Sequence, residues 1–321
     1  MDDNAVWELF SPLYSDLLDA DEFSRRKPFL AHYTSLEAVE SILKTDEIWF
    51  SNPLFMNDME EVRFGLVHCA QALRESKVIR EAVGTDDRYT RFITSFDHFI
   101  AYFEQQFLLD TYVFCLTEQE LNNTDGLLSM WRGYGGNGKG AALVFDTSKL
   151  TTYDGSPLII AKVQYGSSDE RLTWTRSAAK KLSDIITGNL IPDDKVHLIA
   201  FALFERLKLF ALFSKHHGFK EENEWRVVYM KDRDLDNKLG VMFHYANGPK
   251  GVEPKLRFKI APIEGVTASD LSLNKILASI LLGPSTSSPL AKRSIERMLE
   301  VIGKPELKER LIASSIPFRA T

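Results

Sequence analysis

A chain of 321 residues that is 44% hydrophobic, 26% charged and 11% aromatic has the make-up of a soluble globular protein, with core enough for one large domain or two ordinary ones. Its formal net charge of −6 argues against a broad nucleic-acid-binding face while leaving room for a local basic channel. Cys69 and Cys115 stand far apart in apolar segments, so neither a disulfide framework nor a thiolate metal site is expected, and the reading is a reducing cytoplasm.

The first residues, Met1-Asp2-Asp3-Asn4, are acidic and do not read as a signal peptide. An amphipathic lead-in over 1–28 ends in Arg25-Arg26-Lys27-Pro28. Phe29 to Tyr33 reads as a short strand, and Thr34 with Glu37 forms a capping box for a helix that puts Leu36, Val39, Ile42 and Leu43 on one face. Glu47 to Ser51 is a second strand. Asn57 or Asp58 then caps a helix with Val62, Leu66, Cys69, Ala70 and Leu73 at helical spacing.

A helix from about Asp86 to Leu109 carries Phe92, Phe96, Phe99, Phe103 and Phe107, read as core rings rather than a ligand box. Thr111 to Thr117 is a central strand, and Glu118 to Leu128 a surface loop. Strands follow at Ala141 to Phe145 and Leu158 to Tyr165, and helices at Asp169 to Thr187 and Asp193 to His217. The second of these is apolar nearly all round, yet Glu205, Arg206 and Lys208 within it exclude a membrane span. Glu224 to Met230, Lys255 to Ile260 and Ile276 to Leu282 return to strand. A helix near Pro289 to Ile302 and a strand near Leu311 to Ile316 close the chain. Strands and helices intermingle without regular alternation, which predicts an α+β fold: a single domain over 1–321, with helical insertions at about 58–109 and 169–217.

Chemistry concentrates at Trp131-Arg132-Gly133-Tyr134-Gly135-Gly136-Asn137-Gly138-Lys139-Gly140. The run formally fits two nucleotide signatures, G-x-G-x-x-G and G-x-x-x-x-G-K, but a strand follows it where both need a helix N-terminus, and Gly140 replaces the magnesium-holding Ser or Thr. Neither a Rossmann site nor a P-loop is expected. What remains open is a plain glycine turn entering a strand or a ligand loop, in which Trp131, Arg132 and Tyr134 offer stacking surface and a cation beside backbone N–H groups, as a base plus phosphate requires.

Glu222-Asn223-Glu224-Trp225-Arg226 opens a strand, so Glu222 and Glu224 face one way, suited to orienting a sugar hydroxyl or stabilising a developing cation. Arg226 shares that face, and the alternative is a structural ion pair with Glu224. His32-Tyr33-Thr34 sits where a strand meets a helix, and a lone His is commonly structural. His216 and His217 are expected to point different ways on a helix, and no metal-ligand spacing occurs.

With these residues in order, the chain resembles the bacterial family catalogued as Domain of Unknown Function 2971. The resemblance rests on His32-Tyr33-Thr34-Ser35, Ile48-Trp49-Phe50-Ser51, Asn57-Asp58-Met59-Glu60, Phe114-Cys115-Leu116-Thr117, Trp131-Arg132-Gly133-Tyr134, Gly138-Lys139-Gly140, Glu224-Trp225-Arg226 and Ser315-Ile316-Pro317-Phe318-Arg319. Many members of that family look like accessory or phage-defence genes. More distantly, His32-Tyr33-Thr34, then Ile48 to Ser51, then Glu222-Asn223-Glu224 resemble in order the elements of the ADP-ribosyltransferase fold, whose core is a split sheet.

That second resemblance implies an NAD-consuming transferase or glycohydrolase, a toxin-like effector with NAD as substrate and no metal. Glu224, His32 and Tyr33 would be catalytic. Ligand contacts would fall to Thr34, Ser51, Asn57, Asp58, Trp131, Arg132, Tyr134, Gly135, Lys139, Glu222 and Arg226. Its partners would be NAD or a related nucleotide, a protein or nucleic-acid acceptor and a defence-system protein, with no membrane. The alternative is a non-catalytic module binding nucleotide or nucleic acid through Trp131, Arg132, Tyr134 and Lys139. A nuclease using Asp58, Glu60 and Glu224 lacks metal spacing.

Overall fold

A computed structural model describes residues 2–18, 22–56, 59–120, 122–153, 155–248 and 251–318. The fold class is α+β, as the intermingled pattern predicts. The strands are β1 Phe29–Thr34, β2 Glu47–Ser51, β3 Thr111–Gln119, β4 Ala141–Asp146, β5 Leu158–Lys162, β6 Gln164–Gly166, β7 Ser214–His216, β8 Glu224–Met230, β9 Phe243–Gly248, β10 Gly251–Lys259, β11 Leu277–Leu282 and β12 Leu311–Ala313. The chain divides into two compact units. One gathers residues 1–21, 52–111 and 163–219, and the other gathers 22–51, 112–162 and 220–321. The expected helical insertions and most of the lead-in fall together in the first.

The second unit, which we call the sheet unit, is built on a mixed sheet in the order β12-β11-β4-β1-β3-β2-β10-β9, with β8 pairing both β3 and β5. Most of its ladders are antiparallel, while β11 and β12 run parallel. In β1, Leu30 lies opposite Glu118 and Ala31 opposite Thr117, so successive residues address the two faces of the sheet in turn. Leu30, Phe50, Phe114, Leu116, Trp225, Tyr229, Leu256 and Phe258 bury the main apolar face. The other face carries a smaller cluster of Ala31, Tyr33, Ala142 and Val144, covered by Met130 and Trp131.

Two local readings shift. The helix after β1 spans Leu36–Thr45 and is capped by Ser35, whose Oγ accepts from the Ala38 N–H at 3.2 Å. Thr34 is drawn into β1 instead, opposite Ala141 of β4, and so is not the cap. Residues 118–128 are not all loop either. β3 runs on to Gln119, and a helix, Leu128–Gly133, precedes the glycine turn.

The first unit, the helical unit, packs the Asp86–Gln106 helix on the Val196–Phe213 helix through Phe99 and Phe201 (ring centroids 5.1 Å apart) and Phe103 and Phe204 (5.9 Å). Of the rings expected to be core, Phe92, Phe96 and Phe103 are buried, while Phe99 and Phe107 are half-buried. Val196–Phe213 is buried nearly all round, and its charges survive burial by pairing: Lys208 Nζ donates to Glu205 at 2.5 Å, and Arg206 pairs with Asp16. No helix among the described residues is long and apolar enough to cross a membrane. That helix stops at Phe213, so His216 ends β7 and His217 opens a 3-10 turn, with their rings 4.3 Å apart rather than pointing apart on a helix.

Candidate functional site

The glycine turn, the Trp131 helix and the start of β8 meet in the sheet unit. Trp131 is wholly buried, stacked edge-on to Tyr33 at 4.7 Å, and its Nε1 donates to the Asp125 carbonyl at 2.8 Å. It is the keystone of the smaller core and offers no stacking face to a ligand. The turn that follows is closed by its own backbone: the Gly135, Gly138 and Gly140 N–H groups donate to Met130, Trp131 and Gly135 carbonyls at 2.8–3.0 Å. The Gly135 N–H is therefore not available to cradle phosphate. Gly140 is needed for closeness, since a Cβ there would lie 2.1 Å from the Thr34 carbonyl oxygen.

What this frame presents outward is side chains. Arg132, Tyr134 and Lys139 are exposed, with Arg132 Cζ 5.5 Å from the Phe318 ring. Tyr134 is 43% exposed, and its hydroxyl donates to Glu222 Oε1 at 2.8 Å. An aromatic ring thus stands against a carboxylate, and the same turn exposes two cations, Arg132 and Lys139.

Glu222 and Glu224 have different fates. Glu224 is 3% exposed and Arg226 2%, and the guanidinium grips the carboxylate side-on, Nε to Oε1 at 2.8 Å and Nη2 to Oε2 at 3.3 Å. The neutralising ion pair weighed from the sequence is present. Trp225, between them, projects to the main apolar face, where its Nε1 donates to Glu118 Oε2 at 3.0 Å. Glu118 also takes Lys162 Nζ at 2.8 Å and Arg26. Partial burial would raise the Glu118 carboxyl, but these donors and charges outweigh it and hold the group below the usual carboxylate range.

His32 belongs to the Trp225 side of the sheet. Its ring packs on Phe114 with centroids 4.5 Å apart, and Nδ1 lies 3.1 Å from the Cys115 carbonyl. A carbonyl only accepts, so Nδ1 carries the proton and the neutral ring keeps Nε2 as an acceptor. Burial pushes the imidazole pKa down, against the pull of that hydrogen bond. Alternation therefore sends His32 and Glu224 to opposite faces.

Tyr33 lies on the Trp131 side. Its oxygen accepts from the Leu127 N–H at 2.9 Å, and burial pushes its pKa up to about 12. Thr34 spends its backbone in β1, and Ser51 Oγ accepts from Lys255 Nζ at 3.0 Å. Asn57 and Asp58 lie outside the described residues. Among the described residues no three His, Cys, Asp or Glu side chains gather as a metal site.

Sequence reasoning did not find the apolar cavity of about 380 Å³ in the main core of the sheet unit. Phe50, Phe114, Leu116 and Phe258 wall it, with Thr147, Thr151, Ser156 and Arg233 among its polar lining. None of the residues expected to be catalytic or ligand-binding lines it, although Ile48, Phe50, Phe114 and Leu116 of the resemblance motifs do. Its apolar walls come from seven separate strands, β1, β2, β3, β4, β5, β8 and β10, a convergence that no sequence spacing encodes.

The fold and this patch define an α+β protein whose largest sheet carries an aromatic and cationic turn bonded to an acidic strand entrance. The family model described as Protein of unknown function (DUF2971) matches residues 130–227, so the family read from the motifs is the one found over that stretch. The match opens in the Trp131 helix and closes in β8, the two elements that the Tyr134–Glu222 hydrogen bond ties together. No curated protein and no solved structure matches the chain.

Proposed function

We propose that the chain binds a nucleotide on the patch formed by Arg132, Tyr134, Lys139 and Glu222. The observation that carries this reading is the hydrogen bond from the exposed Tyr134 to Glu222, which holds a stacking ring beside a carboxylate on a turn that also exposes Arg132 and Lys139. A base stacks on an aromatic face, a ribose diol donates to a carboxylate, and phosphate oxygens accept from Arg and Lys. Calorimetric titration with NAD and with ADP tests it. Saturable binding that weakens at least tenfold in Tyr134→Ala and Lys139→Ala is expected, whereas no binding to either nucleotide would sink the reading.

A second reading, NAD turnover, draws on one specific observation: β1, β2 and β8 all pair with β3, which brings the strands of His32, Ser51 and Glu224 to one central strand, with the His32 and Glu224 side chains on opposite faces. In that reading nicotinamide departs as an oxocarbenium-like ribose develops, and the carboxylate of Glu224 stabilises it. The acceptor would be water, a protein or a nucleic acid, in a bacterial defence setting. Release of free nicotinamide by the protein, lost in Glu224→Gln while NAD affinity is kept, would establish turnover. Binding without release under every acceptor leaves the nucleotide-binding module.

A further inference from the structure

The helical unit holds a second polar cavity, of about 530 Å³, within the range of small-molecule pockets. We infer that it is a binding site for a small phosphate-bearing molecule. Its floor is the Glu61–Arg171 ion pair. Arg171 is 6% exposed, one Nη pairs with Glu61, and its plane stacks on Phe64 with Cζ 3.8 Å from the ring centre. Its Nε has no hydrogen-bond partner in the protein. A buried guanidinium with an unanswered N–H is costly, and a ligand oxygen in the cavity that this side chain lines would answer it.

The rest of the lining favours an anion. Arg63 and Arg171 line it with Glu61, the one carboxylate among the described lining residues, and with His68 and His216. His216 Nδ1 accepts the Gly218 N–H at 3.2 Å, so the neutral ring carries its proton on Nε2 as a further donor. A lining of so many donors suits a tetrahedral dianion, which accepts from several directions, better than a cation. Phe219, 43% exposed at the rim, gives an apolar surface for the organic part of the molecule.

The backbone is shaped for the same place. Phe64–Cys69 is a π-helix set between two α-helical segments, a rare form that collects at functional sites. It carries Phe64, Val67 and His68 of the lining. Within it, Gly65 packs on the Val196–Phe213 helix so closely that a Cβ would lie 2.4 Å from Ala211 Cβ. This site is independent of the nucleotide patch, which lies in the other unit and uses other residues.

The test is an NMR titration of the protein with inorganic phosphate at constant ionic strength, reading the imidazole signals of His68 and His216. Saturable shifts are expected. In His216→Gln, read at His68, the apparent affinity falls at least tenfold, and Arg171→Lys, which keeps a charge beside Glu61, falls likewise. Arg132→Ala leaves the response unchanged, separating this site from the nucleotide patch. Shifts that never saturate, or an affinity unchanged in His216→Gln, would overturn the assignment. If Arg171→Lys fails to fold, His216→Gln alone decides.

Discussion

Glu224–Arg226 in the sheet unit and Glu61–Arg171 in the helical unit are both buried carboxylate–guanidinium pairs, and the two are built differently. Glu224 and Arg226 are neighbours on one face of β8, so the strand itself fixes their geometry, and both oxygens of the carboxylate face the guanidinium. Glu61 and Arg171 come from segments 110 residues apart, and one Nη of Arg171 donates to Glu61 while its Nε has no hydrogen-bond partner in the protein. A pair made within a strand closes on itself. The pair assembled across the fold leaves a donor over on Arg171, a side chain that lines a cavity. The comparison separates a buried charge that serves the fold from one positioned to serve a ligand.

The strongest way to break this comparison is to remove one partner. Arg171→Met strands the Glu61 carboxylate in the interior and should cost about 3–5 kcal/mol in urea unfolding, most of it recovered when Glu61→Leu is added. An Arg171→Met loss under about 1 kcal/mol would mean that the pair is not desolvated. Glu224→Gln keeps an acceptor for Arg226 but removes the compensating charge, with an expected loss of about 2–3 kcal/mol.

His32 sharpens the contrast by titrating. Its folded pKa is depressed below the ordinary 6.5, so the unfolded chain binds a proton that the native chain refuses. Stability should fall as pH drops below about 6.5, and level off once pH passes below the folded value. Urea midpoints at pH 7.5 and 5.5 check this, and His32→Gln should show the smaller difference.

Ala268 lines the apolar cavity of the sheet unit, and Ala268→Val should add about 0.5–1 kcal/mol by filling part of it, read as a rise in Tm. The smallest effect belongs to Tyr134→Phe. Losing a hydrogen bond at the surface should cost under about 0.5 kcal/mol of stability, so a larger loss would make that bond structural.

Much of the architecture was legible because its signals are local. The phenylalanines of Asp86–Gln106, the dense β-formers of β3 and the all-round apolarity of Val196–Phe213 each report burial through spacing alone. The ion pair of Glu224 with Arg226 was legible for the same reason, since alternation puts residues two apart on one face. Trp131 was misjudged because a bulky residue beside glycines reads equally as a ligand platform or as the plug beneath a turn. Only the edge-on packing with Tyr33, nearly a hundred positions earlier, decides it. The glycine N–H groups looked available for the same reason, and their partners are one turn of backbone away. The Glu61–Arg171 cavity gave no local signal at all. Its residues stand in three separated segments, and Gly65 in the π-helix that contributes to its lining packs against Ala211, almost 150 positions later.

The two carboxylates of Glu222-Asn223-Glu224 put the central claim to a direct test, because the structure gives one to the surface patch and the other to the interior. NAD titrations of Glu222→Gln and Glu224→Gln, each beside its urea unfolding curve, measure both roles together. The account predicts that Glu222→Gln weakens NAD binding several-fold at nearly unchanged stability, while Glu224→Gln loses stability and keeps its affinity. The reverse, with affinity lost only in Glu224→Gln and untouched in Glu222→Gln, would contradict it.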